Sequence, residues 1–521
     1  MLRIGDIEIK KLAIGDVDVK MVTIGDVQVW ASGGQDYVPT KYLTISTDSS
    51  NTVSMGNTNG NSPSLYYTYD CTNERSWEKW DYKPLSITPS KPVYIAGNNP
   101  NGFNKYATYS TFKFGGNGLV SCSGNIMSLL GNDVNKVHEY EFRILFANCT
   151  KLVSATIQMP ATTLAFGCYE HMFNGCTGLT QAPELPATTL ATDCYAGMFY
   201  GCTSLMTAPE LPATTLARSC YSDMFNGCTG LTQAPELPAT TLVVGCYVGM
   251  FAGCTSLMTA PGLPATTLEG SCYIGMFRDC TSLTTAPELP ATTLESSCYS
   301  NMFRGCTSLA TAPELPATKL ASGCYNGMFY GCTSLTTPPE LPSTTLEQNC
   351  YQGMFNGCTS LTTAPELPAT TLAEGCYASM FRDCTSLTTA PELTATTLSI
   401  RCYTSMFINC TSLTTAPELP ATTLAVTCYR DMFNGCTSLT TAPELPATTL
   451  AWECYTGMFY GCENLSYVKC LATDISASGC TFNWLGTVAS TGTFVKDANM
   501  SSWTTGASGI PNGWSVVDAV A

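Results

Sequence analysis

Charge is scarce in this chain of 521 residues: Asp, Glu, Lys and Arg make up only 12% of it, about half the share usual in a folded protein. The charge present is lopsided, 23 Lys plus Arg against 39 Asp plus Glu, for a net −16. No generally basic surface is available to hold a polyanion, so no nucleic-acid partner is expected. Histidine is nearly absent, with His138 and His171 alone, which excludes chemistry that needs several imidazoles. The 29 cysteines contain no C-x-x-C pair, so the short ligand spacing of structural zinc sites is missing. Neither a nucleophile elbow, a P-loop nor an HExxH stretch occurs. No metal, cofactor or catalytic residue is expected from these absences. Apolar runs stay far short of the roughly 18 residues of a membrane span, and Met1-Leu2-Arg3-Ile4 does not open a secretory signal. The chain therefore reads as neither a Sec substrate nor an integral membrane protein.

What is present is repetition. Ile4-Gly5-Asp6, Ile14-Gly15-Asp16 and Ile24-Gly25-Asp26 recur every ten residues, each followed by alternating β-branched and polar residues, the last ending at Trp30. Gly-Asp reads as a tight turn between short antiparallel strands, giving an N-terminal β-meander over 1–31. A second segment, 37–136, carries β-prone runs separated by Gly, Asn and Pro clusters, and is expected to be a small all-β, sandwich-like domain. Its aromatic cluster, Tyr66, Tyr67, Tyr69, Trp77, Trp80 and Tyr82, is either core or an exposed stacking platform for sugars.

From Cys168 to Cys454 the pair Cys-Tyr returns every 26 residues, twelve times, and a second cysteine follows each by eight. The consensus is C-Y-x-x-M-F-x-G-C-T-S-L-T-T-A-P-E-L-P-A-T-T-L-A-x-x. One such unit cannot bury its apolar face alone, whereas a stack can, so 145–470 predicts a repeat solenoid of about twelve units with an N-terminal cap unit. Within a unit, Tyr195, Met198 and Phe199 predict a short helical turn, and Pro209 and Pro212 a bent, extended stretch. The tail, 471–521, with Trp484, Trp503 and Trp514, reads as a C-terminal cap.

This repeat resembles the BspA-type leucine-rich repeats, whose units run aromatic-x-x-C-x-x-L…L-P…L. The resemblance implies an irregular right-handed solenoid that serves adhesion and contact with proteins or glycans, without catalytic residues. Cys-Tyr stands here where many relatives carry Ile-Gly. The Gly-Asp units are similar to the first residues of phage virion proteins, and the combination resembles fibre-type proteins of gut-bacterial phages or prophages.

A solenoid places equivalent residues in columns. The two cysteine sets are expected to be buried free thiols, with intra-repeat disulfides as the alternative. The glutamates of Pro-Glu-Leu-Pro, from Glu184 to Glu444 with Gly262 as the gap, form either a solvated stripe or a calcium-binding ridge. Variation is concentrated before Cys-Tyr, after Cys-Tyr and after Met-Phe. It reads as drift on a tolerant surface or as a ligand-contacting face, for which Arg218, Arg278, Arg304, Tyr330, Arg382, Arg430, Trp452 and Tyr460 are the candidates. His171 beside Glu170 is one such variable residue.

The function expected is that of a noncatalytic virion structural or fibre protein. Its N-terminus (Ile4, Gly5, Asp6, Ile14, Gly15, Asp16, Ile24, Gly25, Asp26 and Trp30) would attach to other virion proteins. The solenoid would meet a host cell-surface glycan or protein, or decorate the virion, in a homo-oligomer assembled in the host cytoplasm without membrane insertion. The alternatives are a bacterial surface adhesin and a glycan-degrading tailspike.

Overall fold

The computed structural model describes residues 3–4, 7–8, 12–14, 17–19, 21–24, 27–31, 37–132, 134, 136–501 and 503–520. At the N-terminus it contains three separate antiparallel pairs: β1 (Arg3–Ile4) with β2 (Ile7–Glu8), β3 (Leu12–Ile14) with β4 (Val17–Val19), and β5 (Met21–Ile24) with β6 (Val27–Ala31). Ile4 pairs with Ile7, Ile14 with Val17 and Ile24 with Val27, so two residues connect the strands of each pair. Those connecting residues, Gly5-Asp6, Gly15-Asp16 and Gly25-Asp26, lie outside the described residues. The period of ten is thus one hairpin per unit.

Next come β7 (Leu43–Thr47), β8 (Asn51–Asn57), β9 (Leu65–Thr68), β10 (Glu78–Lys79), β11 (Leu85–Ile87), β12 (Val93–Gly97), β13 (Ser110–Gly116), β14 (Val120–Asn125) and β15 (Leu152–Gln158). They form a six-stranded sheet, β10-β9-β12-β7-β14-β15, and a three-stranded one, β11-β8-β13. Strict alternation along β7 buries Leu43, Ile45 and Thr47 and turns the residues between them outward, the period-two pattern of a half-buried strand. Trp77 and Trp80 are core residues, whereas Tyr66, Tyr67, Tyr69 and Tyr82 are half-buried. β15 belongs to the first coil of the array and runs parallel to β14. One hydrophobic core therefore continues from the β-domain into the solenoid.

In the array the expected helical turn is replaced by something tighter. Between β15 and β16 (Tyr467–Cys470) no residue is helical; the segment around each Cys-Tyr is a run of consecutive three-residue turns. Alternate residues close the turns, as in Met198 N–H to Tyr195 O (3.2 Å). The residues between them donate to the next coil: Tyr195 to Cys220 O (3.1 Å), Gly197 to Ser222 O (2.8 Å), Phe199 to Met224 O (2.9 Å) and Gly201 to Asn226 O (2.7 Å). Every fourth residue has a left-handed backbone, for example Asp193 (φ 55), Gly197 (φ 57) and Gly201 (φ 69). A helix cannot survive such residues, and the side-chain period becomes four, two in and two out, rather than 3.6. Cys, Tyr, Met, Phe and the second Cys point inward; the pairs between them point outward.

The Pro-Glu-Leu-Pro stretch is extended, with Pro183, Leu185 and Ala187 buried and Glu184, Pro186 and Thr188 exposed. Its prolines remove ladder donors, so between proline-bearing coils parallel pairing survives at isolated positions outside it, such as Thr163 with Thr189 and Thr207 with Gln233; at the last coil, which faces the proline-free β16, Leu445 within the stretch pairs with Cys470.

Two aromatic columns run the length of the array. Phe112 of β13 stacks on Phe146, and the column continues through Phe173 to Phe459 at centroid spacings of 5.4–5.7 Å within the array. Phe142 opens the tyrosine column, which passes from Tyr169 to Tyr455 and closes on Trp484 and then Trp503. The Trp484 indole N–H donates to Gly509 O (3.0 Å), and Asn483 N–H to Ser508 Oγ (2.9 Å), so the tail takes up donors of the last coil. β17 (Thr493–Lys496) and β18 (Ser515–Asp518) extend β16 in parallel. At the other end the buried Glu141 carboxylate accepts from the backbone of Phe103 and from His138 Nδ1 (2.6 Å), joining the first coil to the β-domain. Desolvation raises its pKa, against the hydrogen bonds that lower it.

Candidate ligand-contacting face of the solenoid

Each coil presents three outward columns on its turn segment, and the candidate residues fall on all three. Arg218 and Trp452 lie two positions before the Cys-Tyr cysteine, Arg430 two after it, and Arg278, Arg304, Tyr330, Arg382 and Tyr460 six after it. The last five share one stripe. All the candidates are exposed except Arg430, which is half-buried between Asp431 (3.4 Å) and Glu453 (2.6 Å). Arg278 and Arg382 each pair with the aspartate that follows them, at 3.5 and 3.4 Å. Arg304 has Gly305 there instead, and its guanidinium lies over the Tyr330 ring at 4.8 Å, an orientation that fixes both side chains.

The left-handed column escaped sequence reasoning. The residue directly before each Cys-Tyr and the third and seventh after the cysteine hold mostly Gly, Asp, Asn and Ser, the types that tolerate positive φ. That composition at every fourth position was the available signal. Part of the variation is therefore a choice among residues the backbone admits, and Arg401 (φ 59), Thr427 (φ 51) and Glu453 (φ 50) are its costly exceptions.

All 29 cysteines are free thiols and all but Cys71 are buried. Each second cysteine donates its S–H to a phenylalanine carbonyl of the preceding coil, as in Cys202 to Phe173 O (3.2 Å) and Cys228 to Phe199 O (3.1 Å). Burial pushes the Cys176, Cys228 and Cys280 thiols up to about 12, which keeps them protonated at neutral pH. Among the described residues no cluster of three or more His, Cys, Asp or Glu is placed to hold a metal ion. The glutamate column is exposed and borders shallow grooves between neighbouring coils, such as that between Ala182–Pro186 and Ala208–Pro212. No helix among the described residues is long and apolar enough to cross a membrane.

The attachment candidates Ile4, Ile14, Ile24 and Trp30 lie on β1, β3, β5 and β6; Gly5, Asp6, Gly15, Asp16, Gly25 and Asp26 fall outside the described residues.

The model of the BspA-type leucine-rich repeat region matches residues 143–283, 270–414 and 374–483, in six copies. With more than half of its length matched, the chain belongs to the BspA-type leucine-rich repeat family, which is generally a non-enzymatic binding scaffold. Among solved structures it is similar to a leucine-rich repeat protein from Bacteroides ovatus, with 20% identity over 63% of this chain and 81% of that one and a TM-score of 0.40. It is also similar to the T. pallidum leucine-rich repeat protein, with 20% identity over 46% and 83% and a TM-score of 0.20. No curated protein matches it.

Proposed function

We propose that this is a noncatalytic structural or fibre protein of a phage virion, held by its N-terminal hairpins, whose solenoid recognises a host-surface glycan or protein or decorates the particle. The observation that carries the reading is the division within each coil. Inward positions repeat from Cys168 to Cys462 with little change, while the outward stripes differ from coil to coil. A scaffold held constant beneath a varied, solvent-facing stripe suits recognition, and Tyr, Trp and Arg are effective anchors. The short N-terminal strands can add to a partner's sheet edge. Virions assembled with a chain lacking residues 1–31 should contain none of it; normal incorporation would refute the attachment role.

A bacterial surface adhesin would use the same stripes, and the family favours that reading. Presence of the chain in purified particles separates the two. Release of oligosaccharide from host capsule by the protein would instead indicate a glycan-degrading tailspike.

A further inference from the structure

Three of the twelve coils share one outward constellation. Tyr200, Tyr330 and Tyr460 occupy the same stripe, five coils apart each time, within an identical Gly-Met-Phe-Tyr-Gly-Cys stretch. Their exposures agree, at 41%, 40% and 40%, and they are the aromatic residues of a stripe otherwise made of Asn, Arg, Ala and Ile. The glycine three residues before each ring, Gly197, Gly327 or Gly457, has positive φ. Any Cβ there would collide with a polar side chain of the preceding coil, His171, Asn301 or Asp431 respectively. Each tyrosine thus stands beside bare backbone over which a hydrogen-bonding group has been laid. The same polar-over-glycine contact occurs at Asp223 and Gly249, where the stripe carries Ala252 in place of the ring.

We infer that these are three related subsites for one polysaccharide chain, each stacking a sugar ring on an open tyrosine face while the adjacent polar side chain takes a hydroxyl; at Tyr330 the Arg304 guanidinium covers one face of the ring (4.8 Å), which leaves the other for the sugar. The inference rests on the recognition reading above and names its ligand class. A flat aromatic face with a polar group beside it suits the apolar face and equatorial hydroxyls of a pyranose. A protein partner would call for a contiguous, desolvated anchor cluster, whereas here the rings are five coils apart, at 5.6–5.7 Å per coil along the neighbouring phenylalanine column. Their neighbours on the stripe are Asn174, Asn226, Arg304, Asn356 and Asn434 rather than further apolar groups. Repeated weak subsites on a rigid rod fit a repeating polymer, whose affinity then comes from simultaneous engagement.

The test uses the full-length chain, its Tyr200→Ala/Tyr330→Ala/Tyr460→Ala variant and the corresponding triple Phe variant. Binding is measured to intact bacteria and to capsular polysaccharide extracted from the strain that the wild-type chain binds. The rings lie outside the core, so all three proteins should share one melting temperature. The Ala variant should lose about 100-fold in apparent affinity for both targets, single Ala variants about tenfold or less, and the Phe variant should bind as the wild type does. Binding of wild type to cells but not to the polysaccharide, or an Ala variant that binds unchanged, would overturn the polysaccharide subsites while leaving recognition standing. Failure of the wild type to bind any cell would overturn the recognition reading itself.

Discussion

At the scale of single residues, the array is a set of columns with separate demands, and substitutions should sort by column. Gly331 (φ 72) has the α-carbon of Gly305 beneath it; Gly331→Val should cost about 1–2 kcal/mol through left-handed strain. Tyr330→Ala, one residue away on the outward stripe, removes only the exposed contact with Arg304 and should cost less than about 1 kcal/mol. Chemical denaturation of the two variants checks the contrast. The buried thiols give a second expectation. Their ordinary pKa of 9.0 is raised by burial to about 12 in Cys176 and Cys228, so the folded state holds protons that the unfolded chain releases first. The stability linked to them is present below pH 9 and is lost as the pH rises from 9 towards 12. Burial raises the ladder phenols too, Tyr195 among them, which adds to the loss. Circular dichroism should record cooperative alkaline unfolding within that window; an unchanged fold at pH 12 would contradict it. In native protein at neutral pH a thiol reagent should label Cys71 alone, and all 29 cysteines after denaturation.

At the scale of the element, the coil was legible in part. The period of 26, the inward Cys, Tyr, Met, Phe and Leu positions and the extended proline stretch are all written in the repeat itself, because identical residues must meet identical neighbours. The turn conformation was not. Tyr195, Met198 and Phe199 satisfy helical spacing as well as they satisfy a period of four, and only Asp193, Gly197 and Gly201 break the tie by their tolerance of positive φ. Pairing along the extended stretch was hidden for a related reason: Pro209 and Pro212 lack donors, so only residues outside them bridge. On the outward stripe, Arg278, Arg304 and Arg382 look alike in the sequence, yet only Arg304 is free of an adjacent aspartate and rests on an aromatic ring. Interchangeable coils imply that deleting one complete unit, residues 298–323, leaves a folded solenoid, whereas deleting 13 residues puts inward columns out of register. Melting and gel filtration of the two deletions decide this. Phe303→Ala, which opens a gap in the phenylalanine column, should cost about 3–5 kcal/mol.

At the scale of the whole molecule, a single core runs from the β-domain through the array to the tryptophan-capped end, so the inward columns are the constant part of the molecule and the outward stripes its changeable part. The most direct measurement is binding of the full-length chain to intact host bacteria, before and after removal of capsular polysaccharide. It is compared with a variant in which Arg218, Arg278, Arg304, Arg382 and Trp452, together with Tyr200, Tyr330 and Tyr460, are replaced by Ser. Saturable binding by the wild type, with loss of most of that binding in a variant of unchanged melting temperature, is the expected result. Equal binding by both proteins would place recognition away from the stripes and contradict it.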